Sequence, residues 1–173
     1  MMLYMVEMDF RNPAREADWH VWYLEHVTKL IRDVPGFRAT QRFRALTATP
    51  SPWLAMHDVA SPAVFESAEY RASGGPASTG EWQAEHKNWQ RNLFAGIDRT
   101  PEVPADAHLL VLEAGAEVPA SSSASVTWLE GIGLDCSIAR RGIAVVPPGR
   151  LTAGLFARAG VHIFKPISPR IEG

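Results

Sequence analysis

Within its first 36 residues the chain changes hydrophobic period, from two to about 3.6, and that switch restricts it to folds that lay a helix over a sheet. From Met2 to Phe10, Tyr4, Val6, Met8 and Phe10 fall on one side and Leu3, Met5, Glu7 and Asp9 on the other, the alternation of a strand with one more polar side. Asn12 and Pro13 suit a helix start. The Asn side chain can accept from an orphan backbone N–H, and proline at the first helical position lacks only a donor that would go unused. The helix runs to about Asp33. Pro35 and Gly36 end it, because the proline ring pushes Val34 out of helical geometry.

The following segments extend the pattern. Phe37 to Thr47 alternates, with Phe37, Ala39, Gln41, Phe43 and Ala45 opposite Arg38, Thr40, Arg42 and Arg44. A turn from Thr49 to Pro52 leads into a strand from Trp53 to Val59. Ser61 and Pro62 cap a second helix to about Ala72, and small residues make a loop of Ser73 to Gly80. The spacing of Trp82, His86 and Trp89 predicts a helix over Glu81 to Trp89, followed by a strand at Asn92 to Asp98. Strand, helix, strand, strand, helix, strand is the order of a ferredoxin-like unit, here residues 1–98.

Arg99 to Asp106, with Pro101 and Pro104, reads as a linker. Beyond it the order recurs in shorter form. Leu109 to Glu113 is a strand, Ser121 to Glu130 a short Ser-capped helix, and Leu134 to Ala139 with Gly142 to Val146 a hairpin across Arg140 and Arg141. Pro148 to Ala159 offers a helix and Val161 to Lys165 a last strand. Residues 107–166 are therefore expected to be a shorter, degenerate ferredoxin-like repeat, on element order alone. A sheet with helices on one face leaves the other to be covered. Either the two halves pack face to face as a barrel inside one chain, or the first half pairs with a second copy.

Composition narrows the function classes. At 173 residues, 46% hydrophobic and 21% charged, the chain has enough apolar matter for one domain or two small ones. Its 17 Lys and Arg against 19 Asp and Glu give no basic surplus for nucleic acid. The lone Cys136 cannot form an internal disulfide, no apolar run is long enough to cross a bilayer, and Met1 to Phe10 carries Glu7 and Asp9 where a secretory signal would be apolar. No membrane association and a cytoplasmic location are expected. Gly131, Ile132 and Gly133 lack the third glycine of a dinucleotide fingerprint, and neither a nucleophile elbow nor a phosphate-cradling loop is present.

The segment Asp18 to Arg42, DWHVWYLEHVTKLIRDVPGFRATQR, resembles the first helix and second strand of EthD-like proteins in the dimeric α/β-barrel superfamily, and methylmuconolactone isomerases are similar. The resemblance covers roughly the first hundred residues. It implies an α+β, ferredoxin-like fold of the dimeric α/β-barrel type and a homodimer. Its members are commonly cofactor-free enzymes on small aromatic, lactone or polyketide-like compounds, although some bind haem.

On the first helix Trp19, Trp22, Tyr23, His26, Val27, Leu30 and Ile31 share one stripe, so His26 points inward. Burial beside Trp22 and Tyr23 would disfavour its charged form and move its pKa into a range useful for proton transfer. Its counterpart in the resembling family is commonly the catalytic or ligand-contacting histidine. The competing reading is a core imidazole bonded to a backbone carbonyl. His86, between Trp82 and Trp89, and His57, sharing a strand face with Trp53, Ala55 and Val59, are further candidates for the cavity wall or for core packing. His20, His26 and His86 raise a metal question, but no HExxH, paired-His spacing or Cys cluster supports it, and no metal or cofactor is expected. Arg42, with Arg38 and Arg44, is expected on the face opposite Phe37 and Phe43, free to fork onto a substrate carboxylate or to pair with Glu7 or Asp9.

Together these readings predict a cofactor-independent isomerase, cyclase or lyase acting on a small aromatic or lactone-like acid. His26 would move the proton, with Trp22, Tyr23, His57, His86 and Arg42 binding the substrate. The alternatives are a non-catalytic binder of a small hydrophobic metabolite and a haem-dependent oxygenase.

Overall fold

The computed structural model describes residues 1–118 and 124–173. β1 (Met2–Phe10) enters α1 (Glu16–Asp33) through a 3₁₀ turn, where Asn12 Oδ1 accepts from the Ala14 N–H at 3.2 Å. α1 buries Trp19, Tyr23, Val27 and Leu30 and stops at the extended Val34. Gly36 follows at φ +99°, where a Cβ would stand 2.5 Å from Val64 Cγ2, so the turn needs glycine for its dihedral and for its space. β2 (Phe37–Ala45) and β3 (Trp53–Val59) form the expected hairpin. The second helix splits into a 3₁₀ turn, Pro62–Glu66, and a short α2 (Ala68–Ser73) capped by Ser67.

The helix expected over Glu81 to Trp89 is replaced by the end of a 3₁₀ segment, Pro76–Glu85, and the start of β4 (His86–Ala95). The cause is tertiary. β4 pairs with β1 from Phe10↔His86 to Leu3↔Phe94, and Arg11 N–H donates to Glu85 O at 2.7 Å. A ladder along a central strand outweighs a helical spacing of three aromatic residues.

The second half contributes β5 (His108–Glu113), β6 (Thr127–Leu134), β7 (Arg140–Val146), a four-residue α3 (Ala153–Phe156), β8 (Val161–Pro166) and a short β9 (Ile171–Glu172). Of the helix expected at Ser121 to Glu130, residues 121–123 lie outside the described residues and 127–130 are strand. The hairpin pairs β6 with β7, so of the strand expected at Leu134 to Ala139 only Leu134 is strand and Asp135 to Ala139 is the connection between them. Gly131 lies in that hairpin. A Cβ there would fall 2.2 Å from the Ile138 carbonyl oxygen, which accounts for glycine by close backbone approach.

The sheet runs β3-β1-β4-β6-β7-β5-β8-β2, and β2 pairs back onto β3, closing an antiparallel barrel; β9 adds to β2 at Ala39 and Thr40. Counted from its own first strand, each half has the same strand order, β2-β3-β1-β4 and β6-β7-β5-β8. The halves join at β4–β6 and β8–β2. Leu3 and Met5, on the side of β1 away from α1, thus meet Leu109, Val111, Ile143 and Phe164 in one solid interior cluster. The sheet face that would otherwise call for a second copy is filled from within the chain. Outside, α1 and α2 cover the first half. The second half's outer apolar row, including Leu110, Leu112 and Ile163, is covered by Leu155 of α3 with Ala116, Val118, Ala124 and Val126.

At one end of the barrel Arg141 of β7 donates to both carboxylate oxygens of Glu7 on β1, at 3.1 and 2.8 Å, and both residues are buried. This pair bridges the halves, and Glu7 is thereby engaged with Arg141 rather than with an arginine of β2. Glu7→Leu should cost about 3–5 kcal/mol in urea unfolding, because it strands a buried guanidinium. The double variant Glu7→Leu, Arg141→Met should recover most of that loss; a double variant as unstable as the sum of the singles would show that the pair is not coupled.

Candidate active site

The middle of the barrel interior is filled by apolar side chains, and the expected site residues gather outside it, between the sheet and its helical cover. There α1, β1, β3, β4 and α2 enclose a hollow of about 30 Å³, room for about one water. Trp22, Tyr23 and His26 reach it from α1, Tyr4 from β1, His57 from β3, His86 and Trp89 from β4, and Tyr70 from α2. Five of the six site residues expected from sequence therefore converge on one place.

The convergence of β4 residues depends on a bulge. His86 and Trp89 are three apart and would face opposite sides of a regular strand. The register with β1 passes from Glu7↔Gln90 to Asp9↔Lys87, which inserts one extra residue in β4, and Asn88 takes it up at φ +46°. Asn88 is held there by its side-chain N–H donating to Pro50 O at 2.8 Å. Both rings then face the hollow.

Arg42 is the exception, and again a bulge decides it. The register of β2 on β3 shifts from Phe37↔Val59 to Ala39↔Asp58, after which Arg42 stands opposite Ala55 and Arg44 opposite Trp53. Directly opposed residues share a face, so Thr40, Arg42 and Arg44 lie on the helix side with Phe37, whereas Phe43 faces the barrel interior. Arg42 is thus placed under α1 and not toward the partner sheet. It does not line the hollow: its guanidinium lies 4.2 Å from the Tyr23 ring and opens into a separate outer groove.

His26 is stacked flat on Trp22, with ring centroids 5.1 Å apart and 12° between planes, and meets Tyr23 edge-on at 6.3 Å. No hydrogen bond to its ring is made among the described residues, so it is not the carbonyl-bonded core histidine of the competing reading. Burial, with Lys29 and His86 adding to it, lowers its pKa to about 4. Burial likewise lowers His86 to about 4, and lowers His57, which stacks on Tyr4 at 5.1 Å, to about 3. At neutral pH all three imidazoles are uncharged bases. Tyr23 is pushed up to about 12 by burial, and burial also raises Tyr4 well above the ordinary phenol value, so both phenols keep their protons.

One tautomer follows from geometry. The Trp19 indole N–H donates to His86 Nε2 at 3.0 Å, which places the His86 proton on Nδ1. That Nδ1–H is buried without an acceptor, as is the Trp89 indole N–H, and His57 Nδ1 is also unpartnered. Two donors without acceptors thus belong to residues that line an aromatic-walled hollow. The histidines do not assemble a metal-ligating group of three among the described residues.

Sequence reasoning did not reach Tyr70 or Trp89's place on a strand. The signal for Tyr4 was present, since β1 alternation set it on the helix-facing side.

No family model matches the chain, and no curated protein matches it. Three solved structures share its fold. An anthrone oxidase-like protein is similar over 99% of this chain and 92% of its own, with TM-score 0.58 and 8% identity. A monooxygenase-like protein from Fusobacterium nucleatum is similar over 99% and 95%, with TM-score 0.57 and 10% identity. A chlorite dismutase-like protein is similar over 97% and 96%, with TM-score 0.52 and 8% identity. The likeness is one of fold, an antiparallel α+β barrel.

Because His26, His57 and His86 have folded pKa values below the ordinary 6.5, the unfolded chain binds more protons than the folded one between about pH 6.5 and 3. Their contribution to stability is complete above pH 6.5 and falls as the pH drops, through about 4 for His26 and His86 and about 3 for His57. The urea midpoint should fall across that window, and His57→Phe should shallow the fall; an unchanged slope would show that His57 is not held neutral.

Proposed function

We propose that the hollow beside His26 is the site of cofactor-independent proton transfer on a small aromatic or lactone-like carbonyl compound, leading to isomerisation, cyclisation or elimination. The observation that carries this reading is the meeting of a neutral His26, without a hydrogen bond among the described residues, with two residues that carry acceptor-less N–H donors, His86 Nδ1–H and Trp89 Nε1–H, around one half-open hollow. The unbonded ring of His26 takes a proton from a carbon next to the carbonyl. The C–H bond breaks, its electron pair moves onto the carbonyl oxygen, and that oxygen accepts from the two N–H groups. Imidazolium then returns the proton to another atom of the substrate. With a pKa near 4, His26 is a weak base that is fully unprotonated at neutral pH, which suits an acidic C–H.

Among the residues lining the hollow none is a cation, so it suits a neutral carbonyl compound better than the free acid that sequence suggested. A substrate ring enters by displacing Trp22, the partly buried lid of the His26 stack. Two of the fold neighbours are named for oxidation of aromatic substrate or mono-oxygenation, which agrees with aromatic carbonyl chemistry at this fold without fixing the reaction. Haem is not part of this reading: a porphyrin is several times larger than the single ring for which displacement of Trp22 would make room.

One observation favours the second reading, a binder that sequesters a hydrophobic metabolite. Among the described residues no carboxylate or carbonyl orients His26, as a third group commonly orients a catalytic base. The division into a ferredoxin-like unit, 1–98, and a reduced repeat, 107–166, is part of the same proposal, as is any homodimer, which would use surfaces outside the closed barrel.

Deuterium exchange next to the carbonyl, followed by NMR over a panel of aryl ketones and unsaturated lactones, separates the two. Wild type should catalyse exchange in at least one compound, and His26→Ala should slow it about 10²–10⁴-fold while the Kd stays within about threefold. Binding without exchange would establish the binder, and exchange untouched by His26→Ala would overturn the role of His26 as the base.

A further inference from the structure

Beyond Tyr23 from the hollow lies a groove whose charges the proton-transfer reading does not use. It is an open cleft of about 520 Å³, lined by His20, Arg42, Arg44, Trp53 and Lys165, with Val21, Leu24 and Ile167 on its apolar side. Arg44 and Lys165 are direct cross-strand partners on the antiparallel β2–β8 pair. Like charges so opposed repel and destabilise the pair unless something negative sits between them. Arg42, two residues along the same face, is only 5% exposed.

The Arg42 guanidinium meets no carboxylate. One arm donates to the His20 carbonyl at 3.2 Å and another to His20 Nδ1 at 3.0 Å, while the plane covers the Tyr23 ring. Arg44 lies over the Trp53 ring at 5.3 Å. Glu16, the acid on the groove wall, faces His20 Nε2 at 3.9 Å. Among the described residues, none of Arg42, Arg44 and Lys165 makes an ion pair. A buried cation without a counter-ion is costly, and three cations around one cleft define where an anion would be held. The apolar side is equally unfinished: Val21, Leu24 and Ile167 are 61%, 40% and 38% exposed on the same wall. The volume falls within the range of small-ligand pockets.

We infer that this groove binds a small amphipathic carboxylate, its carboxyl group held by Arg42, Arg44 and Lys165 and its apolar body laid against Trp53, Val21, Leu24 and Ile167. The planar fork of a guanidinium matches a two-oxygen group, and the apolar shelf gives such a ligand an advantage over a bare inorganic anion. The inference is independent of the His26 chemistry, since the two spaces share only Tyr23 as a partition.

Isothermal titration of the full chain with 2-naphthoate and octanoate, against 2-naphthalenemethanol and inorganic phosphate, tests it. At least one acid should bind one to one, about tenfold or more tighter than the alcohol and the phosphate, and more weakly as salt rises to about 0.5 M. Arg44→Gln with Lys165→Gln, both exposed and so compatible with folding, should weaken acid binding about tenfold and leave His26-dependent exchange unchanged. Failure of both acids to bind, equal binding of acid and alcohol, or loss of acid binding in His26→Ala but not in the double variant would overturn the inference. So would a concentration-dependent dimer abolished by the double variant, which would make the groove an interface between copies.

Discussion

The structure depends on the apolar seam between its two halves. Leu3, Met5, Leu54 and Phe94 from the first half meet Leu109, Leu129, Ile143 and Phe164 from the second, and this shared interior holds a sheet that closes on itself through β4–β6 and β8–β2. Closure leaves no long unpaired edge and no bare sheet face, the two features that would otherwise drive association. It also fixes where function can reside. With the middle of the interior packed, ligand space lies between the sheet and its outer cover, in grooves along that cover, or at the ends of the barrel, as in the cleft beside Glu7 and Arg141.

Within that outer layer, single-residue irregularities set the chemistry. The extra residue at Asn88 turns Trp89 to the side of His86, and the extra residue near Ala39 turns Arg42 and Arg44 to the helix side. Each bulge reverses the facing of every residue beyond it, because side chains alternate strictly along a strand. Without the first, the hollow would lose an indole donor. Without the second, Arg42 would point into the barrel interior.

The two spaces are electrostatic opposites on either side of Tyr23. The hollow collects neutral imidazoles and protonated phenols, all kept uncharged by burial. The groove collects cations, and there the Arg42 guanidinium is lowered by burial only to about 10, so it stays charged at neutral pH. His20 belongs to the groove: burial first, then Arg42 and Arg44, lower it to about 4, and its neutral ring can accept from Arg42. A wall of aromatic rings between the two tolerates both neighbours, since ring faces attract a guanidinium and edges pack against imidazole.

Local sequence determined β1, α1, the β2–β3 hairpin, β5 and β8, because hydrophobic period, the Asn12–Pro13 start and the Pro35–Gly36 stop act over a few residues. It also set the helix-facing side of Trp22, Tyr23, His26 and His57, whose elements were correctly placed, whereas His86 reaches the hollow from a strand and not from the expected helix. What tertiary structure alone decided was the conversion of Glu81–Trp89 from a helical spacing into the end of a turn and the start of β4, the replacement of helix by strand at Thr127–Glu130, and the location of Arg42. In each case the deciding force was a hydrogen-bonded ladder with a strand distant in sequence, and neither that partner nor the bulge needed to match its register leaves a periodic mark in the residues themselves.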